Sequence, residues 1–467
     1  MVTYNARYVW TLSTVAALGG LLFGYDFVVI GGAKPFYESY FRLSSQQLVG
    51  WANSCALLGC LAGSILSGIS SAALGRKKLL IFAAILFAVS SILTGWAHTF
   101  TEFVVWRMAG GIAIGVASNV SPVYIAEISP APWRGRMVSL NQLTIVLGIV
   151  SAQIVNWAIA RPVPVGATAE MLRQSWNGQL GWRWMFTAVA VPATGLLIGA
   201  LLIPESPRWL VTKGRKDRAL RTLARVGGPD YADIEVQEIQ RTVTAARVKS
   251  AMPWGILTIG VVLAVLQQWS GINVIFNYAE EIYRDAGYGI SDTMFNIVLT
   301  GAINCVFTLA AIGYVDKFGR RAFMLLGCAG IGLSHVLIGL AFKFGLKGLP
   351  VLICTLFTLA CFAMTLGPVT WVLISEIFPN RVRGAAVSIA VSALWIACFI
   401  LTYTFPILNQ ALGASGTFWL YAGICWAGFL FVLLAVPETM GKTLEQIESK
   451  SSPSLPNPSD KYAGHTG

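Results

Sequence analysis

Apolar runs of about 18 or more residues recur along the chain, separated by short polar stretches, and each is long enough to cross a hydrocarbon core roughly 30 Å thick. About twelve such runs are read, beginning near Val9, Leu48, Leu79, Glu102, Met137, Trp184, Trp254, Thr293, Ala322, Leu349, Ala385 and Thr417. The first is too long for a signal-peptide core and lacks a small-residue cleavage site, so it is read as a retained first span. The predicted fold class is an all-α membrane protein of twelve transmembrane helices in two pseudo-symmetric six-helix bundles.

The rhythm breaks once, between the sixth and seventh runs. There a basic segment carries weak helical periodicity in Leu220, Leu223 and Val226, then Ile234, Ile239 and Val243, which predicts short helices joining two halves. After Pro437 the chain turns polar, and Ser451-Ser452-Pro453-Ser454-Leu455-Pro456-Asn457-Pro458 lacks the apolar content to pack, so this end is expected to be disordered. The expected units are therefore 1–203, 204–253, 254–436 and a tail, 437–467.

Composition agrees with a membrane chain: the 467 residues are 56% hydrophobic and 12% charged, with a mean hydropathy of +0.68. The net charge of +12 does not point to nucleic acid, because Lys and Arg alternate from loop to loop. With the N-terminus inside, roughly 24 basic residues fall in cytoplasmic segments, about 8 outside, and one, Arg107, within a span, which puts both termini in the cytoplasm. The eight cysteines all fall in apolar spans with no Cys-x-x-Cys and no clustered histidine, so neither metal nor disulfide is expected. His98, His335 and His465 offer no convincing catalyst. Gly441-Lys442-Thr443 resembles the end of a phosphate loop, but Val436 stands where that loop needs glycine, so no nucleotide site, cofactor or enzymatic activity is expected.

The charged motifs are duplicated. Glu127 with Arg134-Gly135 matches Glu376 with Arg383-Gly384 at the same spacing, Gly75-Arg76-Lys77 matches Gly319-Arg320-Arg321, and Pro204-Glu205-Ser206 matches Pro437-Glu438-Thr439. Three pairs in the same order imply two related halves, and such repeats place a substrate near mid-membrane between them, with alternating access by rocking.

Seven motifs together resemble the sugar porter family of the major facilitator superfamily, and the chain is identified as a member over nearly its whole length. They are Gly24-Tyr25-Asp26, Gly75-Arg76-Lys77, Pro122-x-Tyr124-x-x-Glu127, Pro204-Glu205-Ser206-Pro207-Arg208, Gln267-Gln268-x-x-Gly271-x-Asn273, Asp316-Lys317-Phe318-Gly319-Arg320-Arg321 and Pro437-Glu438-Thr439. The resemblance implies that Gln142, Gln267, Gln268, Asn273 and Asn304 bind sugar hydroxyls and that Trp371 adds an indole contact. Trp395 is a second candidate wall residue, and Asn277 falls at a pocket position where the family has the first tyrosine of a Tyr-Tyr pair. Neutral amides and indoles suit a ligand whose hydroxyls donate and accept while its C–H faces are apolar. Each amide alone could equally bond a neighbouring helix.

Asp26 and Arg107 are expected near the outer ends of two antiparallel spans, at one depth. Ionisable residues in a span are functional candidates by default. In the family an acid at the position of Asp26 tends to mark proton symporters, and a neutral amide marks facilitators. Arg76, Glu127, Arg134, Glu205, Arg208, Arg320, Glu376 and Arg383 are the expected gating charges, with Arg76 paired to Glu127 or to Glu205.

The chain departs from the family pattern at Ala72 and Ala73, which weaken one inner charge cluster, and at Ile149, Asn277 and Leu394 in the pocket. The reading is a proton-coupled carrier of a monosaccharide, a hexose or pentose aldose, acting as a monomer in the lipid bilayer of a bacterial inner membrane. A proton-independent facilitator and a non-transporting sugar sensor on the same fold stay open as alternatives.

Overall fold

Asn5 opens the first helix by accepting from Tyr8 N at 3.1 Å, satisfying one of the amides that every helix start leaves over. Helix α1 (Ala6–Phe41) is followed by α2 (Gln46–Leu74), capped by Ser45, and by α3 (Arg76–Gly95). Helix α4 (Phe100–Ile128) begins with a reciprocal capping box between Thr99 and Glu102. Helices α5 (Arg134–Ile159) and α6 (Asn177–Leu202) complete the first half. The computed structural model describes residues 3–164, 166–245, 254–378 and 382–438.

Three short helices follow: α7 (Pro207–Thr212), α8 (Lys216–Gly227) and α9 (Pro229–Ala245). In α8, Ala219, Leu223 and Val226 are buried while Lys216, Arg218, Arg221 and Arg225 stay exposed. The expected apolar stripe of α9 is only partly right, because Ile234 is 64% exposed and the buried side is formed by Tyr231, Ala232, Val236 and Ile239. The segment is tied to the start of the chain by Asn5 N donating to Val226 O at 2.8 Å. The membrane face carrying it is termed here the linker face, and the opposite one the far face.

The second half is more broken. Its first span runs as α10 (Trp254–Trp269), α11 (Ile272–Asn277) and α12 (Ala279–Asp285), interrupted at Gly271, whose φ of +84° only glycine adopts without strain. Helices α13 (Ile290–Phe318) and α14 (Arg320–Lys343) are continuous. The next span is split into α15 (Leu349–Met364) and α16 (Leu366–Ile377) at Thr365. The last segment, α17 (Arg383–Ala435), holds two spans joined at Gly413, with φ 67° and ψ 170°. Eleven helices among the described residues are long and apolar enough to span, and the division at Gly413 brings the spans to twelve. The tail beyond residue 438 lies outside the described residues.

The two halves pack internally in different ways. In the first, glycines let backbones touch: a Cβ on Gly24 would lie 1.9 Å from Ile145 O, on Gly148 2.0 Å from Leu21 O, and on Gly111 1.9 Å from Ala56 O. In the second, most close glycines meet side chains, Gly260 against Phe378, Gly330 against Cys361 and Gly428 against Leu266, while Gly19 and Gly199 do so in the first and Gly367 meets the Phe362 carbonyl in the second.

The duplication is visible as geometry. Glu205 accepts from Arg76 N at 2.9 Å and Lys77 N at 3.1 Å, and Glu438 accepts from Arg320 N at 3.0 Å and Arg321 N at 3.1 Å. Each carboxylate sits on the positive end of a helix of its own half, where orphan amides and dipole favour an anion.

Candidate functional site

Asp26 and Arg107 meet across α1 and α4, each 3% exposed, with Arg107 Nη1 donating to Asp26 Oδ1 at 3.0 Å and Oδ2 at 3.1 Å. Arg107 lies about two turns into α4, as expected, whereas Asp26 lies mid-helix rather than near the end of α1, which continues to Phe41. Phe186 of α6 covers the guanidinium, 5.3 Å from the ring centre. Inside an apolar bundle each charge depends on the other for its stability.

The amides of the second half form a chain at the two helix breaks. Gln267 Nε2 donates to the carbonyls of Leu366 at 3.2 Å and Gly367 at 3.1 Å, bracing the break in one span against the break in the other. Gln268 Nε2 donates to Gln267 Oε1 at 3.3 Å, and Gln268 Oε1 accepts from Asn273 Nδ2. Asn273 also lies 3.3 Å from Cys398 Sγ on α17. Asn277 is one turn beyond Asn273, and Trp395 is one turn before Cys398, so the four residues share facing sides of α11 and α17. Asn277 Oδ1 and Trp395 Nε1 are buried without a hydrogen-bond partner among the described residues, an arrangement that costs folding energy and that a ligand hydroxyl would relieve.

The remaining expected residues surround this chain without joining it. Gln142 is half-buried on α5 and Asn304 is 4% exposed on α13, and neither shares a hydrogen bond with the amide chain among the described residues. Trp371 stands one turn beyond Gly367 on α16 and, at 36% exposed, is the most open of the set. Trp395 is 2% exposed and packs on Phe23 of α1 at 5.8 Å between ring centres, so the indole touches the opposite half. Ile149 and Leu394 are both buried.

On the linker face Arg76 resolves its two expected partners by using different atoms for each. Its Nη2 donates to Glu127 Oε1 at 2.8 Å, while its backbone N bonds Glu205. Glu127 Oε2 accepts from Ser206 Oγ at 2.5 Å. Arg134 turns away from Glu127 and donates Nε to Ala126 O at 3.0 Å, and Arg208 is exposed. Arg320 meets Glu438 through its backbone. The side chains of Glu376 and Arg383 lie outside the described residues. The Ala72 carbonyl accepts from Trp209 Nε1 at 3.0 Å.

Sequence reasoning missed a second charged centre. Lys34, counted among the residues outside the spans, is 2% exposed inside α1, and its Nζ lies 3.2 Å from Glu281, 3.4 Å from Glu38 and 3.7 Å from Glu280. The rule that flagged Arg107, an ionisable side chain on a spanning helix, would have found it. His335 is buried and donates Nε2 to Ser270 O at 2.7 Å, satisfying a carbonyl at the α10 break, which makes it a structural histidine.

Comparison with known proteins matches residues 12–450 to the family "Sugar (and other) transporter". The D-xylose-proton symporter of Escherichia coli (strain K12) is 37% identical, covering 96% of this chain and 97% of that protein. The glucose transport protein of a Synechocystis strain is 39% identical, covering 95% and 98%. Among solved structures, a partially occluded inward-open form of the xylose transporter XylE from E. coli superposes with a TM-score of 0.85 at 36% identity, covering 94% of this chain and 100% of that one.

Proposed function

The chain belongs to the sugar transporter family of the major facilitator superfamily, and on that premise we propose that it carries a monosaccharide aldose together with a proton by alternating access. The observation that carries the sugar reading is the pair of unmatched buried groups, Asn277 Oδ1 as an acceptor and Trp395 Nε1 as a donor. They sit on facing helices beside the amides of Gln268 and Asn273. A hydroxyl both donates and accepts, so a polyhydroxylated ring satisfies both at once. Glucose or a related hexose is the first choice and xylose the second, since Ile149 and Leu394 bring apolar surface to positions where polar contacts would favour other hydroxyl patterns.

The proton reading rests on Asp26 and Arg107. Protonating Asp26 removes the counter-charge of a buried guanidinium, which must then find water or another partner, so proton occupancy and the fit of α1 against α4 are coupled. Entry of one proton down a membrane potential supplies about 2.3 kcal/mol per 100 mV, enough for roughly a fiftyfold solute gradient. In this reading the linker face is cytoplasmic, the far face is external, 1–203 and 254–436 are the moving halves, and 204–253 is the cytoplasmic link. Arg76 and Glu127 are gating charges, and a single copy contains the whole path.

The test is uptake of labelled sugars into energised vesicles holding the purified chain, with and without a protonophore. Accumulation abolished by the protonophore is the expected result. Equal accumulation in both conditions would remove the proton from the mechanism, and failure to move any aldose would remove the sugar.

A further inference from the structure

The ammonium of Lys34 leaves its own half. It is carried on α1, yet two of its three carboxylate neighbours, Glu281 at 3.2 Å and Glu280 at 3.7 Å, belong to α12 of the second half, and the Tyr278 ring centre lies 5.5 Å away. The backbones are close at the same level, for a Cβ on Gly31 would lie 2.5 Å from Phe276 O. Pro35, next to Lys34, has no N–H to give the Gly31 carbonyl, so α1 is weakened where it meets the other half. Further cross-half bonds seal the same end, Gln153 Nε2 to Thr300 Oγ1 at 3.3 Å and Val163 N to Ser291 Oγ at 3.2 Å.

We propose that Lys34 is a gating residue of the transport cycle: a cation of one half seated in an acidic socket of the other, holding the far face shut and withdrawn each time that face opens. The partners on either side are arranged for repeated separation. Glu38, one turn along α1 at 3.4 Å, travels with Lys34. On the other side Glu280 keeps Arg284 at 3.0 Å, and Glu281 keeps the amide of Asn409 at 2.9 Å. Each half therefore retains a local charged partner when the seam parts, and within this charged cluster only the Lys34 contacts to α12 are lost. A wholly apolar seam would lack this orientation-dependent registration, because burial against apolar surface has no preferred angle.

Lys34 shares one helix with Asp26, about 12 Å away along its axis, so a shift of α1 at the Asp26–Arg107 contact reaches the socket directly. This link and the place of Lys34 in a transport cycle rest on the transport reading, whereas the charge contact that holds the far face shut does not.

The experiment uses the full chain in lipid nanodiscs with spin labels on non-natural residues introduced at the exposed positions Ser44 and Lys347, one in each half at the far face. Pulsed spin-resonance distances are read without sugar or a proton gradient, so failure here and failure of the transport assignment are distinguishable. Lys34→Gln and Glu281→Gln are each expected to raise the far-face-open population by about tenfold or more. Lys34→Arg should keep the parent distribution, and Lys34→Glu combined with Glu281→Lys should return toward it. If Lys34→Gln does not fold, Glu281→Gln carries the same expectation. Single variants with the parent distribution, or a charge swap no better than either single variant, would overturn the proposal.

Discussion

A single nitrogen of Arg107, Nη1, stands 3.0 and 3.1 Å from the two carboxylate oxygens of Asp26, so one side chain of α4 balances the whole charge of α1 at that level. Asp26→Asn keeps the shape and removes the titrating group. Uphill accumulation should be lost while sugar exchange between equal concentrations survives. A mutant that still concentrates sugar in response to a pH gradient would place the proton elsewhere.

Gln268 and Asn273 bond each other, and Asn273 shares the facing sides of α11 and α17 with Asn277 and Trp395. Gln268→Ala is expected to weaken sugar binding by about 1–3 kcal/mol, through loss of hydroxyl partners and of the neighbour that orients Asn273. Leu394→Gln should change the ranking among sugars more than total uptake. Competition by aldoses, ketoses and polyols against labelled glucose reads both effects, and an unchanged ranking would remove Leu394 from the pocket wall.

Glu205 and Glu438 each accept from two backbone amides at a helix start. Glu205→Ala and Glu438→Ala should each lower stability by about 1–2 kcal/mol, and Glu205→Gln should recover part of the loss by keeping a hydrogen-bond acceptor. Thermal unfolding in detergent measures this. Identical transitions for all variants would mean that the amides find water instead.

Backbone contact cannot rotate out of the way, whereas a side chain can. Gly24→Ala and Gly111→Ala, aimed at the carbonyls of Ile145 and Ala56, should therefore cost more than Gly330→Ala, whose nearest neighbour is Cys361 Sγ at 2.8 Å. The expected difference is about 1–3 kcal/mol of stability. Equal losses would show that the first half relaxes as readily as the second.

The spans were legible because a long apolar run needs no partner to be recognised; Trp254 and Leu349 begin helices where the sequence placed them. The amides were found through the motif Gln267-Gln268-x-x-Gly271-x-Asn273, which carries part of the family resemblance. Their partners were not legible. Gln267 gives its N–H groups to Leu366 and Gly367, carbonyls that become available only because a second helix breaks beside it. Lys34 was missed because an apolar run interrupted by a lysine reads as finished, while the three carboxylates that keep the helix buried come from Glu38 and from residues far along the chain. Arg134 lies close to Glu127 in sequence, yet its guanidinium is turned to Ala126 O.

The contrast between backbone-to-backbone glycine contacts in the first half and side-chain contacts in the second divides mechanical compliance unevenly. On the transport reading the first half is expected to be the stiffer one, so a shift of α1 at the Asp26–Arg107 pair is passed along the helix rather than absorbed by repacking around it. The second, with its spans interrupted at Gly271 and Thr365, is expected to take up more of the bending. Asn273, Asn277 and Gln268 lie in that yielding half. In the proposed cycle most of the sugar contacts lie in the more yielding half and the proton site in the stiffer one, so a change of solute should alter how far the second half bends before it alters where the proton sits.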